Sequence, residues 1–175
     1  MKHEFKIPYL CQYDNALYPG GSCNMTSLAM CLMYYGVKVT GRFNRVSDNL
    51  LDYCDQHGLD RHELAVIDQV AEHFGVNDHS TYDGKWPDIK KHLKTNNPVI
   101  VHGYFTPGGH ILVLCGVDED KGRWKVNDPA GDWTAPQKYR DPSRTGYGVW
   151  YPSAAFKQAA APDGKVWCHF LSKPK

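Results

Sequence analysis

The sequence predicts an α+β domain, with helices in the first half packed on an antiparallel sheet in the second. Three observations carry this reading. Apolar residues recur at helical spacing up to about residue 93, β-rich runs bounded by Gly, Pro and Asp follow from residue 98, and the two kinds of segment do not alternate as βαβ units would. At 175 residues the chain has one domain's length, and it holds no repeat, low-complexity tract or linker, so residues 1–175 are read as a single domain.

The elements follow in order. Met25, Leu28, Ala29, Leu32 and Met33 stand at i, i+3, i+4, i+7 and i+8, an apolar stripe on one face of a helix that Gly36 ends. A second helix is expected over Ser47 to Gln56, carrying Leu50, Leu51 and Cys54, with Gly58 shortly after it. A third runs from about His62 to Phe74, with Asp60 or Arg61 near its cap and Gly75 at its stop. A short fourth, Pro87 to Leu93, has its proline where the first turn tolerates one. Strands are expected over Pro98–Tyr104, His110–Val117, Arg123–Asn127, Tyr147–Tyr151 and Val166–Leu171. Asp118 to Gly122 reads as a polar turn and Ser153 to Ala160 as a short helix.

Charge and composition exclude several functions. Lys and Arg number 20 against 19 Asp and Glu, with no dense basic block, so no nucleic-acid partner is expected. The lysines between Lys85 and Lys94 read as the solvated face of a short helix. The first residues lack an apolar signal core and no run of about 18 apolar residues occurs, so synthesis in the cytoplasm without a signal peptide, and no membrane insertion, are expected. The six cysteines are scattered without a CxxC pair and are read as reduced thiols. No Cys/His pair has usual ligand spacing, so neither a metal nor a cofactor is expected. Asp118-Glu119-Asp120 lacks the spacing of a calcium loop and reads as a solvated turn.

Cys23 is the residue that points to chemistry. It stands at the mouth of the first helix, directly after a turn made by Pro19, Gly20 and Gly21. There the helix dipole and unpaired backbone N–H groups favour the reactive thiolate. Of nine histidines, His3 lies at a frayed end, while His57, His62, His73, His79 and His92 read as surface residues. His102 and His169 lie inside strands as core or face residues. His110 differs, because it opens a strand after Thr106-Pro-Gly-Gly109, where glycines let a substrate backbone approach. With Asp118 and Gly122 flanking the turn, paired positions sum to about 240, which sets Asp128 opposite Leu112 and diagonal to His110 on one face. Gln12, eleven residues before Cys23, offers an amide that could hydrogen-bond a developing oxyanion together with the Cys23 N–H. The chemistry these four suggest is general-base-assisted thiolate attack on an acyl carbon, giving a thioester that water hydrolyses.

Pro8-Tyr9-Leu10-Cys11-Gln12, the stretch from Cys23 to Gly36, Gly109 to Gly116 and Val126-Asn127-Asp128-Pro129 together resemble the papain-like cysteine peptidases, and more closely the peptidase C39-like family, over roughly residues 6 to 170. The resemblance implies a papain-like fold, with Cys23 as nucleophile, His110 as general base, Asp128 orienting the imidazole and Gln12 as oxyanion donor. The chain departs from the family pattern in having Asn24-Met25 where many members have Gly-Pro, and in placing Cys11 beside Gln12. Asn127 is the alternative orienter. Members that trim leader peptides work inside ABC exporters; without a membrane or ATPase segment here, the wording is more similar to stand-alone phage and bacterial lysins. That implies a monomer cutting a peptide bond in peptidoglycan, at the cell wall or periplasm, with a different peptide as the alternative substrate. A γ-glutamyl or acyl transferase is a further alternative. A silent binding module would be marked by loss of Cys, His or Asp, and all three are present. Trp133, in the loop after Asp128, is the tryptophan singled out for a cleft role.

Overall fold

The computed structural model describes residues 1–134, 138–139 and 145–174. The chain runs β1 (Lys2–Glu4), a single 3-10 turn (Gln12–Asp14), α1 (Cys23–Tyr34), α2 (Val46–Gln56), α3 (Leu64–His73), β2 (Asn77–Gly84), α4 (Trp86–Leu93), β3 (Val99–Gly103), β4 (His110–Asp118) and β5 (Arg123–Asn127). It continues through β6 (Trp133–Thr134), β7 (Lys138–Tyr139), β8 (Val149–Pro152), α5 (Ser153–Ala160) and β9 (Val166–Ser172). Among the described residues the main sheet has seven antiparallel strands in the order β2-β9-β3-β4-β5-β8, with β1 also paired to β4. The α+β class expected from the sequence is the one observed.

The sheet separates two cores. Ile100, Ile111, Val113, Cys115 and Leu171 face α1, α2 and α3, while Val101, Leu112, Leu114, Trp124 and Val126 face α4 and α5. Successive residues of β4 therefore belong to different cores, which is why all nine of them are buried and the strand reads as a continuous apolar run. Burial on α1 is broader than a single apolar stripe. Every residue from Asn24 to Leu32 is buried, because α2 and α3 cover the side away from the sheet. Two of the polar residues on it are paired: Asn15 donates to Thr26 Oγ1 at 2.9 Å, and Ser27 Oγ donates to the Ile111 carbonyl at 3.3 Å, whereas buried Asn24 uses its Oδ1 on the Met25 N–H and its Nδ2 meets no acceptor among the described residues.

The helix stops are as expected. Gly36, Gly58 and Gly75 have φ of 74°, 63° and 83°. Each follows the last helical turn, and the next residue's N–H returns to a carbonyl inside the helix, as Val37 does to Leu32 at 3.0 Å. The third helix begins later than expected, at Leu64 with Glu63 as its cap residue. Asp60 instead uses its carboxylate on the His62 N–H, at 3.0 Å, in a turn of its own. The sequence reading gave no strand for β2, whose Asn-Asp-His-Ser-Thr-Tyr-Asp-Gly has turn composition and pairs with β9 alone. His3, read as frayed, is paired to Val117 in β1.

The β4–β5 hairpin reaches its expected register by another route. Asp118 pairs with Arg123, not Gly122, so positions next to the turn sum to 241. A bulge between Leu114 and Gly116 takes up one residue, and beyond it Val113 pairs with Asn127, restoring the sum of 240 at the site end. The acidic turn is occupied by protein partners: Asp118 by Arg123 at 3.2 Å, Glu119 by Lys90 at 3.2 Å and Asp120 by the amino terminus at 2.6 Å.

Candidate active site

Cys23 is the first residue of α1, held there by the 18–21 turn that precedes it and by the Thr26 N–H bond to the Ser22 carbonyl, 3.0 Å. Ser22 does not cap the helix with its hydroxyl, which accepts from Asn15 at 3.0 Å. His110 opens β4 and Asp128 follows β5, and the bulge-corrected register brings them together: His110 Nε2 lies 2.8 Å from Asp128 Oδ1. The other face of that imidazole hydrogen-bonds the Cys23 thiol. Since Nε2 is engaged by the carboxylate, Nδ1 is the nitrogen that faces sulfur.

Electrostatics favour the ion pair. Burial raises the Cys23 thiol, but the hydrogen bond and charge of His110, with a backbone hydrogen bond from Ile111, outweigh it and leave the thiol below its ordinary value. Burial likewise disfavours the His110 imidazolium, and Asp128 overrides it, with help from Cys23, to hold the ring well above its ordinary value. Together these shifts describe a thiolate beside an imidazolium.

Asp128 is fully buried, and its donors among the described residues include the His110 ring, the Ala130 N–H at 2.9 Å on Oδ1 and the Tyr151 hydroxyl at 2.8 Å on Oδ2. Tyr151 was not foreseen; as one more apolar position of a strand it carries no sequence signal. Gly146 was not foreseen either. Its carbonyl accepts from the Asp128 N–H at 2.9 Å, and a Cβ there would fall inside the Asp128 carbonyl oxygen. Asn127, the alternative orienter, is engaged elsewhere, donating to the Ile7 carbonyl and accepting from the Gly148 N–H, both at 3.0 Å.

Gln12 sits on the 3-10 turn, 3% exposed, with its own N–H on the Pro129 carbonyl at 2.9 Å. Its Nε2 donates to the Pro19 carbonyl at 3.0 Å, which anchors the amide and leaves that nitrogen a second hydrogen. A cavity of about 670 Å³ is lined by Gln12, Cys23 and His110 along with Tyr13, Tyr104 and Trp167. Cys11 is not among its lining residues. Trp133 is not either; it is buried, donating its indole N–H to the Phe105 carbonyl at 2.9 Å. Trp167, 50% exposed, is the tryptophan at the cleft. His102 also lines the cavity, and burial together with the His169 ring pushes it down to about 3, so it is a neutral imidazole. Gly20, Gly21, Gly108 and Gly109 form a bare rim, and a Cβ at Gly20 or Gly108 would meet no protein atom.

Residues 4–158 match the model of the family described as "Peptidase_C39 like family". A solved double glycine motif protease from an AMS/PCAT transporter, in complex with the leader peptide, is similar with a TM-score of 0.61 and 22% identity, covering 98% of this chain and 95% of that one. A Bacillus anthracis protein described as a C39-like peptidase is similar with a TM-score of 0.67 and 17% identity over 100% of both chains. The peptidase domain of Streptococcus ComA, a bi-functional ABC transporter of a quorum sensing pathway, gives a TM-score of 0.64 and 16% identity, covering 97% and 99%. At these identities the likeness is one of fold. No curated protein matches the chain.

Proposed function

The chain belongs to the peptidase C39-like family, and from that premise we propose that it cleaves peptide bonds with Cys23 as nucleophile, His110 as general base, Asp128 as the residue that orients the imidazole, and Gln12 as oxyanion donor. The observation that carries this reading is the buried His110, bridging from Asp128 at 2.8 Å to a thiol in the first turn of a helix. The thiolate attacks the scissile carbonyl carbon, and the oxyanion forms against the second N–H of the Gln12 amide and the Cys23 backbone N–H. The imidazolium then delivers its proton to the leaving amine, the C–N bond breaks and a thioester remains. His110, now neutral, takes a proton from water, whose oxygen attacks the thioester and releases the thiolate and the acid.

The substrate we propose is a peptide with small residues beside the scissile bond, of the kind found in bacterial peptidoglycan stems and cross-bridges. The glycine rim supports it, since a bare backbone admits a close-lying substrate main chain. A second reading has its own support: the leader-peptide complex of a double glycine motif protease shares this fold across 98% of the chain, and a Gly-Gly site meets the same requirement. Purified peptidoglycan and a leader-like peptide containing Gly-Gly, each incubated with the protein and with Cys23→Ala and read by mass spectrometry, separate the two. New amino termini in the wall digest support the first reading and cleavage after Gly-Gly the second. No cleavage of either substrate by unlabelled protein, when iodoacetamide labelling of a parallel sample shows its Cys23 to be reactive, would overturn both.

A further inference from the structure

A second polar cluster lies on the α1–α3 side of the sheet, near its β2 edge. The register sets Ser80 of β2 opposite His169 of β9, and Asp78 opposite Leu171, so Asp78, Ser80 and His169 share one face. Packing of α3 on β2 brings Asp68 over them. His169 Nδ1 lies 2.7 Å from Asp78 Oδ2 and 3.7 Å from Asp68 Oδ1. The Ser80 hydroxyl donates to Asp68 Oδ2. The side chains of His169 and Asp78 are 0% exposed, whereas that of Asp68 is 28% exposed. Asp68 Oδ1 and Asp78 Oδ1 are both buried and receive no hydrogen bond.

These two buried carboxylate oxygens receive no donor from another residue and lie close enough to compete for one proton, and a single divalent cation would satisfy both. We propose that Asp68, Asp78 and His169 bind a divalent cation of the zinc type, with water completing the coordination on the Asp68 side, where the cluster opens to solvent.

Donor type argues for zinc over magnesium or calcium, which prefer oxygen ligands alone and in greater number. Distance agrees. A tetrahedral site with bonds of about 2.0–2.1 Å separates its ligand atoms by about 3.3 Å, near the 3.7 Å between His169 Nδ1 and Asp68 Oδ1, while the ion would replace the 2.7 Å hydrogen bond from Nδ1 to Asp78 Oδ2. One ligand atom from each of the three residues falls within 4.8 Å of the others. Charge agrees as well: two carboxylates and a neutral imidazole balance a divalent ion.

The shell behind the ligands connects this site to the cleft. With Nδ1 on the metal, His169 carries its proton on Nε2 and donates it to His102 Nε2, 2.9 Å away. His102 must then keep its own proton on Nδ1. The ion would thus fix the tautomer of an imidazole that lines the same cavity as Cys23, and would tie α3, β2 and β9 together.

Zinc chloride is the probe, and Cys23→Ala protein removes the competing thiolate. The chain is stripped with chelator and dialysed against Zn²⁺; bound metal is then counted by mass spectrometry and Tm followed by calorimetry. About one equivalent is expected, with Tm raised by about 5–10 °C at a hundredfold excess over Kd. Asp68→Asn, at the most exposed ligand, should remove both effects while leaving the far-UV spectrum and the chelator-treated Tm unchanged. Asp78→Asn should do the same, but Asp68→Asn carries the test should the buried variant not fold. Binding below about 0.2 equivalents, or one equivalent that survives Asp68→Asn, would overturn the proposal and leave a cluster held by protons.

Discussion

At Cys23, burial pulls the thiol toward its protonated form and His110 pulls it the other way, and His110 prevails only because Asp128 holds its charge. This order of dependence has a pH signature. The thiolate persists below the ordinary thiol range and the imidazolium persists above the ordinary imidazole range. kcat/KM should therefore rise as the thiol ionises and fall where His110 loses its proton. Asp128→Asn removes the charge that raises His110, so the alkaline limb should move to lower pH, by about one unit or more, with turnover down on the order of 10²–10⁴-fold. An alkaline limb that stays in place would mean that Asp128 does not set the imidazole's proton affinity. Tyr151→Phe keeps the ring in the core but takes one donor from a buried carboxylate, and should cost about 1–3 kcal/mol by urea unfolding. Cys23, His110 and Asp128 were legible because helix-start chemistry, glycine placement and strand register are local or nearly local signals. Tyr151, Gly146 and the pairing of His102 with His169 were not, because each matters only through a contact made in the folded chain.

Among the elements, the longest helices were the most legible. Each ends on a glycine with positive φ, and at Gly36 an added Cβ would touch nothing. Gly36→Ala therefore isolates the backbone term and should destabilise by about 1 kcal/mol in chemical denaturation; no loss would mean that α1 can end without a left-handed residue. Leu28→Ala, at a position of α1 with 0% exposure, should cost about 2–5 kcal/mol. The hairpin is the instructive case. The register at the site was right although the turn was set one residue short, because an unforeseen bulge compensates. Strand β2 was missed because edge position, not composition, makes it a strand: among the described residues its only sheet neighbour is β9, at the far side of the chain.

The whole molecule rests on β4, the strand whose alternate residues enter both cores. Trp86, Trp124 and Trp133 pack on the α4–α5 side, and among the described residues the α1–α3 core contains no tryptophan. The indole signal of these tryptophans is therefore weighted toward the α4–α5 side, and helical circular dichroism, to which α1, α2 and α3 contribute most residues, toward the other. Their urea transitions should coincide if β4 welds the faces into one cooperative unit, whereas separated midpoints would mark two. Length and composition led to the single-domain expectation, but gave no sign that one strand joins two cores. The same architecture governs when the thiol gains its charged partner. Cys23 leaves the ribosome 105 residues before Asp128, an interval of about 5–20 s at ordinary rates of synthesis. Throughout that interval Cys23 lacks the carboxylate that holds the His110 charge, and a fragment released before Asp128 would carry the thiol without that support. The order of parts along the chain thus separates the thiol in time from the charge that ionises it.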